Sequence, residues 1–192
     1  MRRLLAVAAC SLAALVFTAG TAAAHQKGTI VDVAVGASGG GTPDDNPYDY
    51  DLLVQAVLAT DLAGTLSDTS TRYTVFAPND RAFERLVADL TGTYPESEAA
   101  ALNTIVSTFS VDQIKNILLY HVVAGRALSP LQVLFAGSLT MANGGTVRPR
   151  GLRLVDETPS LRDPRLVLWA INIRASNGVI HTINRVLVPA TP

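Results

Sequence analysis

Asn177-Gly178-Val179-Ile180-His181-Thr182-Ile183-Asn184-Arg185-Val186-Leu187-Val188-Pro189 joins a tight-turn dipeptide to a long β-branched run that carries one imidazole among apolar side chains. Asn-Gly supplies the positive φ angles that a short hairpin turn needs. Residues 166–174 in front of it are as strand-like as the run behind, so the two are expected to pair antiparallel. A period of two along the second run puts His181 on the face of Val179 and Ile183, the side expected to meet the core.

Two further blocks lie upstream. Thr74-Val75-Phe76-Ala77-Pro78-Asn79-Asp80-Arg81-Ala82-Phe83 reads as a strand that breaks at Pro78 and becomes a helix capped by Asn79 or Asp80. Ile117-Leu118-Leu119-Tyr120-His121-Val122-Val123 stands between this block and the C-terminal one. In this order and at this separation, the three resemble the first motif, the Tyr-His segment and the second motif of the fasciclin domain. The resemblance runs from about residue 29 to residue 189.

That resemblance implies an α+β fold, a β-wedge or sandwich with helices packed on one side. It marks Thr74, Phe76, Ala77, Pro78, Asp80, Phe83, Tyr120, His121, Asn177, Gly178, Ile180 and His181 as motif positions, structural or adhesive in role. It further implies a secreted adhesion or matrix-interaction domain that binds cell-surface or matrix protein or glycan partners, with self-association also open. No catalysis and no cofactor are expected. In animal members the segment matched by Tyr120-His121 is implicated in integrin-type adhesion. The Asp-Ile pair that precedes the second motif in those members is Asn172-Ile173 here, without the carboxylate an integrin's metal would meet. The competing reading is an extracellular carrier that holds a small apolar ligand, a pigment or lipid, in a groove of the same fold.

Met1-Arg2-Arg3, the apolar residues 4–17 and Ala22-Ala23-Ala24 before His25 have the layout of a signal peptide over residues 1–24, which leaves residues 25–192 as a single domain outside the cytoplasm, extracellular or periplasmic. The apolar stretch is short for a membrane span and no second candidate follows it. Cys10 stands too early in that stretch for a lipid acceptor, and its removal leaves no disulfide to form. Cleavage takes away Arg2 and Arg3 and no acid, so 13 basic face 16 acidic residues and the net charge becomes −3. That balance argues against a nucleic-acid partner.

Residues 49–63 place Leu53, Ala56, Val57 and Thr60 on one face behind an acidic start, the pattern of a surface helix packed on the core. Phe83, Leu86, Val87 and Leu90 mark a helix that Gly92 stops. Ser110-x-x-Gln113 predicts a capping box for a helix through Leu119, and Ser129-Pro130 opens a short turn. Residues 97–107 read as helical from their alanines. Residues 139–141, 146–148, 152–156, 166–174 and 179–188 read as strands. The order, helices first and strands later, argues α+β. Residues 30–35 are β-branched, yet the fasciclin likeness implies a helix there behind Thr29.

Candidate chemistry is sparse. Gly36-Ala37-Ser38-Gly39-Gly40 matches G-x-S-x-G, but Gly41, Pro43 and Pro47 follow it where a nucleophile elbow needs a helix, so residues 36–47 read as a flexible loop. Once exposed by cleavage, His25 pairs an imidazole with an α-amine, a copper chelate only if a second histidine faces it. Asp44-Asp45-Asn46-Pro47-Tyr48-Asp49-Tyr50-Asp51 offers hard oxygens without the glycine and distal glutamate of an EF-hand. It is read as helix capping and solubility, and no metal is expected. His121 and His181 titrate nearest neutrality, but no nucleophile is tied to either, and as buried rings they need hydrogen-bond partners such as Asp80 or a backbone carbonyl.

Overall fold

The computed structural model describes residues 28–192. The expected leader over 1–24, Cys10 and His25 lie outside the described residues. The helices are α1 (Ile30–Ala37), α2 (Asp51–Ala59), α3 (Ala63–Ser67), α4 (Asp80–Thr91), α5 (Glu98–Thr108), α6 (Val111–Leu119) and α7 (Pro130–Leu134). The strands are β1 (Tyr73–Pro78), β2 (Val122–Ala124), β3 (Leu139–Thr140), β4 (Thr146–Arg150), β5 (Arg153–Val155), β6 (Ile173–Ala175) and β7 (Gly178–Ile183). They form a four-stranded sheet in the order β2-β1-β7-β6 and a three-stranded sheet in the order β3-β4-β5.

β1 and β7 fill the centre of the larger sheet and run parallel, with Val75 opposite Ile180 and Phe76 opposite His181. Every residue of both strands is buried, because each face of the sheet is covered. Val75, Ala77 and Ile180 point into one core with helix residues such as Leu52, Phe83, Ala101 and Ile117. Phe76 and Ile183 point into a second core with Leu139, Val147 and Leu154 of the smaller sheet. The architecture is therefore α+β: two sheets enclose one core while α1 to α6 supply the other. α7 departs from the one-sided arrangement and packs on β4.

Helix ends follow local chemistry. Thr29 and Asp32 close a capping box on α1, Ser110 and Gln113 do so on α6, and Ser129 and Gln132 on α7. Asn79 is the cap of α4, its side chain accepting from Ala82 N–H, and Gly92 ends that helix in the left-handed region at φ 77°. Residues 97–107, read as helical, supply α5, which buries Ala101 and Ile105 in the first core.

Four expectations need correction. Asn177 and Gly178 do not have positive φ, and the hairpin turns through Ser176 and Asn177 with Ala175 opposite Gly178. Gly178 is required for a different reason: a Cβ there would lie 2.2 Å from Tyr73 O and 2.8 Å from Ile30 Cδ1. Residues 166–174 are not one strand. Leu166 bridges to Ile183 and Ile173 pairs with Ile180, so seven steps on one side span three on the other and the excess bulges into a 3-10 turn at Leu168–Ala170. The 49–63 helix is shorter, and a separate α3 follows a turn at Asp61 (φ 57°). Lastly, Gly36 and Ala37 belong to α1, so the 36–47 loop begins only at Ser38.

Candidate functional site

All twelve motif residues are buried: Thr74, Phe76, Ala77 and Pro78 on β1, Asp80 and Phe83 on α4, Tyr120 and His121 between α6 and β2, and Asn177, Gly178, Ile180 and His181 at the hairpin. Their polar atoms face the protein's own backbone. Thr74 Oγ1 donates to Arg126 O and accepts from Leu128 N–H, both at 2.8 Å. The Tyr120 hydroxyl donates to Thr146 O at 2.8 Å, and burial raises its pKa.

His121 is 2% exposed and joins two backbone segments. Its Nδ1 lies 2.7 Å from Ile117 O, and Leu187 N–H donates to its Nε2 at 2.9 Å. A carbonyl only accepts and an amide N–H only donates, so the ring is held as the neutral Nδ1–H tautomer. Burial pushes its pKa down to about 4. His181 is held in the opposite tautomer. Asn172 N–H donates to its Nδ1 at 3.2 Å, and its Nε2–H donates to Leu128 O at 2.9 Å. Burial lowers its pKa too, and Phe76 stacks beside it with 5.9 Å between ring centroids. Neither ring has a hydroxyl or thiol partner among the described residues, so neither activates a nucleophile. His181 uses the carbonyl of Leu128 and not Asp80. The two oxygens of Asp80 accept from Asp51 N–H and Leu52 N–H, at 3.1 and 2.8 Å, at the start of α2.

Ser38 is 2% exposed, caps the end of α1 and accepts from Tyr50 N–H at 3.0 Å. A nucleophile elbow presents its serine at the end of a strand; Ser38 instead follows a helix. Asn172, in the position of the missing carboxylate, has φ 60°, a left-handed conformation that asparagine tolerates, and contributes its backbone N–H to His181.

Three features escaped sequence reasoning. Asn177 is fully buried: its Oδ1 accepts from Ile30 N–H at 2.9 Å, and its Nδ2 donates to Leu66 O at 2.7 Å and Asp68 O at 3.0 Å. The sequence marked Asn177 as a motif and turn residue but carried no signal of its burial. Next, Asp49, Asp51, Asp80 and Glu98 gather beneath the 38–50 loop, all less than 8% exposed, so Asp49 and Asp51 do not serve solubility. Burial and the neighbouring carboxylates raise Asp51 to about 6, and burial raises Glu98 to about 7. Finally, Arg153, Arg162, Arg165 and Arg185 line an open depression of about 410 Å³ with Asn184, Leu161 and Asp163. Asp163 pairs with Arg153 at 3.1 Å, and Asp89 pairs with Arg185. Arg162 and Arg165 are exposed and have no ion pair among the described residues.

Apolar space inside the fold is small. A cavity lined by Ile30, Leu53, Val57, Val75, Leu118 and Val122 holds about 40 Å³. No helix among the described residues is long and apolar enough to cross a membrane.

The fasciclin domain model matches residues 49–189. Protein sll1483 of Synechocystis sp. is 28% identical over 168 residues, covering 88% of this chain and 77% of its own. An uncharacterized Synechocystis protein, sll1735, is 27% identical over 139 residues, covering 72% of this chain and 89% of its own. Among solved structures, a FAS1 domain pair from the insect cell adhesion molecule fasciclin I superposes with a TM-score of 0.57 at 16% identity. The match takes in 85% of this chain but only 51% of that one, so the chain spans about half of the two-domain molecule.

Proposed function

Because this chain belongs to the fasciclin family, we propose that it is an exported, non-enzymatic adhesion domain whose partner is an acidic polysaccharide of a cell surface or matrix. The carrying observation is the depression with four arginines. On a chain of net charge −1 it collects four guanidinium groups against Asp163 and the nearby Asp89. Guanidinium groups form forked, charge-assisted hydrogen bonds to carboxylate, sulfate or phosphate, and an open depression suits an extended chain better than an enclosed small molecule. Support for adhesion as the role comes from the insect neighbour, named as a cell adhesion molecule. Its likeness in fold places no partner on this chain, and the arginines supply that argument.

A carrier of a small apolar ligand fits less well. Small-molecule sites enclose roughly 300–1,000 Å³, against about 40 Å³ in the apolar cavity here. Catalysis finds no support either, since both buried imidazoles are occupied by backbone groups and Ser38 by Tyr50.

The test is retention on surfaces coated with a carboxylated or sulfated polysaccharide, with a neutral glucan as control. Retention should be selective for the acidic polymer and weaken as salt rises, since exposed charges are screened. The double change Arg162→Ala and Arg165→Ala should lose it without lowering the melting temperature. Equal retention by the neutral polymer, or retention that survives the double change, refutes the assignment.

A further inference from the structure

Four buried carboxylates from three segments meet beneath the 38–50 loop. Asp49 and Asp51 stand at the start of α2, Asp80 starts α4 and Glu98 starts α5. Some of their oxygens have donors. Asp80 uses both on the N–H groups of α2, Glu98 Oε2 accepts from Asp44 N–H at 2.9 Å, and Asp49 Oδ2 accepts from Asn46 Nδ2 at 2.9 Å. The others have none. Asp49 Oδ1, both oxygens of Asp51 and Glu98 Oε1 are shielded from solvent and have no hydrogen-bond partner among the described residues. The ion pairs among the described residues are Arg153–Asp163 and Arg185–Asp89, so no arginine or lysine there neutralises the cluster.

Unpartnered buried carboxylate oxygens are strongly unfavourable, and they are few in native proteins unless something bound satisfies them. Their spacing identifies what that is. One oxygen each from Asp44, Asp51 and Glu98 lies within 4.8 Å of the other two, and one each from Asp49, Asp80 and Glu98 does the same. Two oxygens sharing a calcium ion at about 2.3–2.6 Å lie at most about 5 Å apart.

We propose that this cluster is a calcium-class cation site, with Asp51, Glu98 and the exposed Asp44 as ligands and the free Oδ1 of Asp49 beside them. The donor set is oxygen only, which disfavours zinc and copper, and its irregular spread over three segments suits calcium better than the octahedron magnesium demands. Three ionised carboxylates around a divalent ion leave one net negative charge, so the ion offsets most of their mutual repulsion. The absence of an EF-hand in residues 44–51 does not count against the site, because its third ligand comes from α5, 47 positions after Asp51. Bound there, the cation clamps the 38–50 loop and α5 to the start of α2.

This proposal is independent of the adhesive reading and is tested by calorimetric titration of the EDTA-stripped chain with calcium chloride at pH 7.5, alongside thermal unfolding. Saturable binding of one ion per chain is expected. Calcium at about 100-fold over Kd should raise the melting temperature by roughly 5–10 °C. Asp51→Asn should abolish binding and raise the melting temperature in EDTA, because it removes a repelling charge that a merely structural residue would not carry. Glu98→Gln keeps an acceptor for Asp44 N–H and should likewise lose the ion. No saturable heat and equal melting in EDTA and calcium would overturn the site and leave protons holding the carboxyls. A calcium response that persists in both variants would overturn it as well, by placing the ion elsewhere.

Discussion

Lowering the pH from 7 to 4 should strip the fold of a contribution that resides in His121. Its Nε2 accepts from Leu187 N–H while its Nδ1–H is committed to Ile117 O. A second ring proton would therefore face an amide proton in a site shielded from water. The folded pKa of about 4 lies below the unfolded value of 6.5. Between the two the unfolded chain binds more protons, so the contribution is intact above pH 6.5 and is lost as pH falls through 4. That difference corresponds to a loss of roughly 1 kcal/mol at pH 5.5 and about 3 kcal/mol at pH 4. Urea unfolding at pH 7, 5.5 and 4 measures it when wild type is compared with His121→Gln, whose amide reaches a donor and an acceptor but does not titrate. The variant should start about 1–2 kcal/mol less stable, from imperfect geometry, and the gap should close and reverse as the solution is acidified. Parallel curves for the two proteins would refute the argument that the ring is locked neutral. Nitrogen chemical shifts of the ring provide a second check on the Nδ1–H tautomer.

Asn177→Ala should cost about 3 kcal/mol or more, since Ile30 N–H, Leu66 O and Asp68 O would all lose their partner; the urea midpoint measures this. Gly178→Ala should cost about 1–3 kcal/mol by forcing β1 and β7 apart at Tyr73, and a melting temperature unchanged within a degree would contradict the close approach. Mutating both Arg162 and Arg165 to Ala should leave stability unaltered while removing salt-sensitive retention on acidic polysaccharide.

What the sequence made legible was short in range. The caps of α4, α6 and α7 were readable because each is a side chain reaching a backbone N–H within three residues, whereas the helix behind Thr29 was implied only by the family likeness. The C-terminal hairpin was readable as a pair of strand-like runs around a turn. Its detail was not, because the bulge at Leu168 and Trp169 is followed by a left-handed Asn172 whose N–H is bonded to His181, a contact across the hairpin that local pattern does not record. Of the candidate site, the motif residues were visible in sequence, but their burial and hydrogen-bond partners were not. Asn177 looked like a turn residue and proved to be the bridge between the hairpin, α1 and α3.

By itself the sequence determined the family, most helices preceding most strands, the caps of α4, α6 and α7 and a second motif whose imidazole faces inward. Those properties depend on spacing along the chain, which folding does not change. Tertiary structure alone decided that β1 and β7 pair in parallel over a gap of about a hundred residues. It also brought carboxylates from three helix starts under one loop and lined one depression with Arg153, Arg162, Arg165 and Arg185. Charges distant in sequence interact only after the two cores have packed, and no local pattern records which of them packing will bring together.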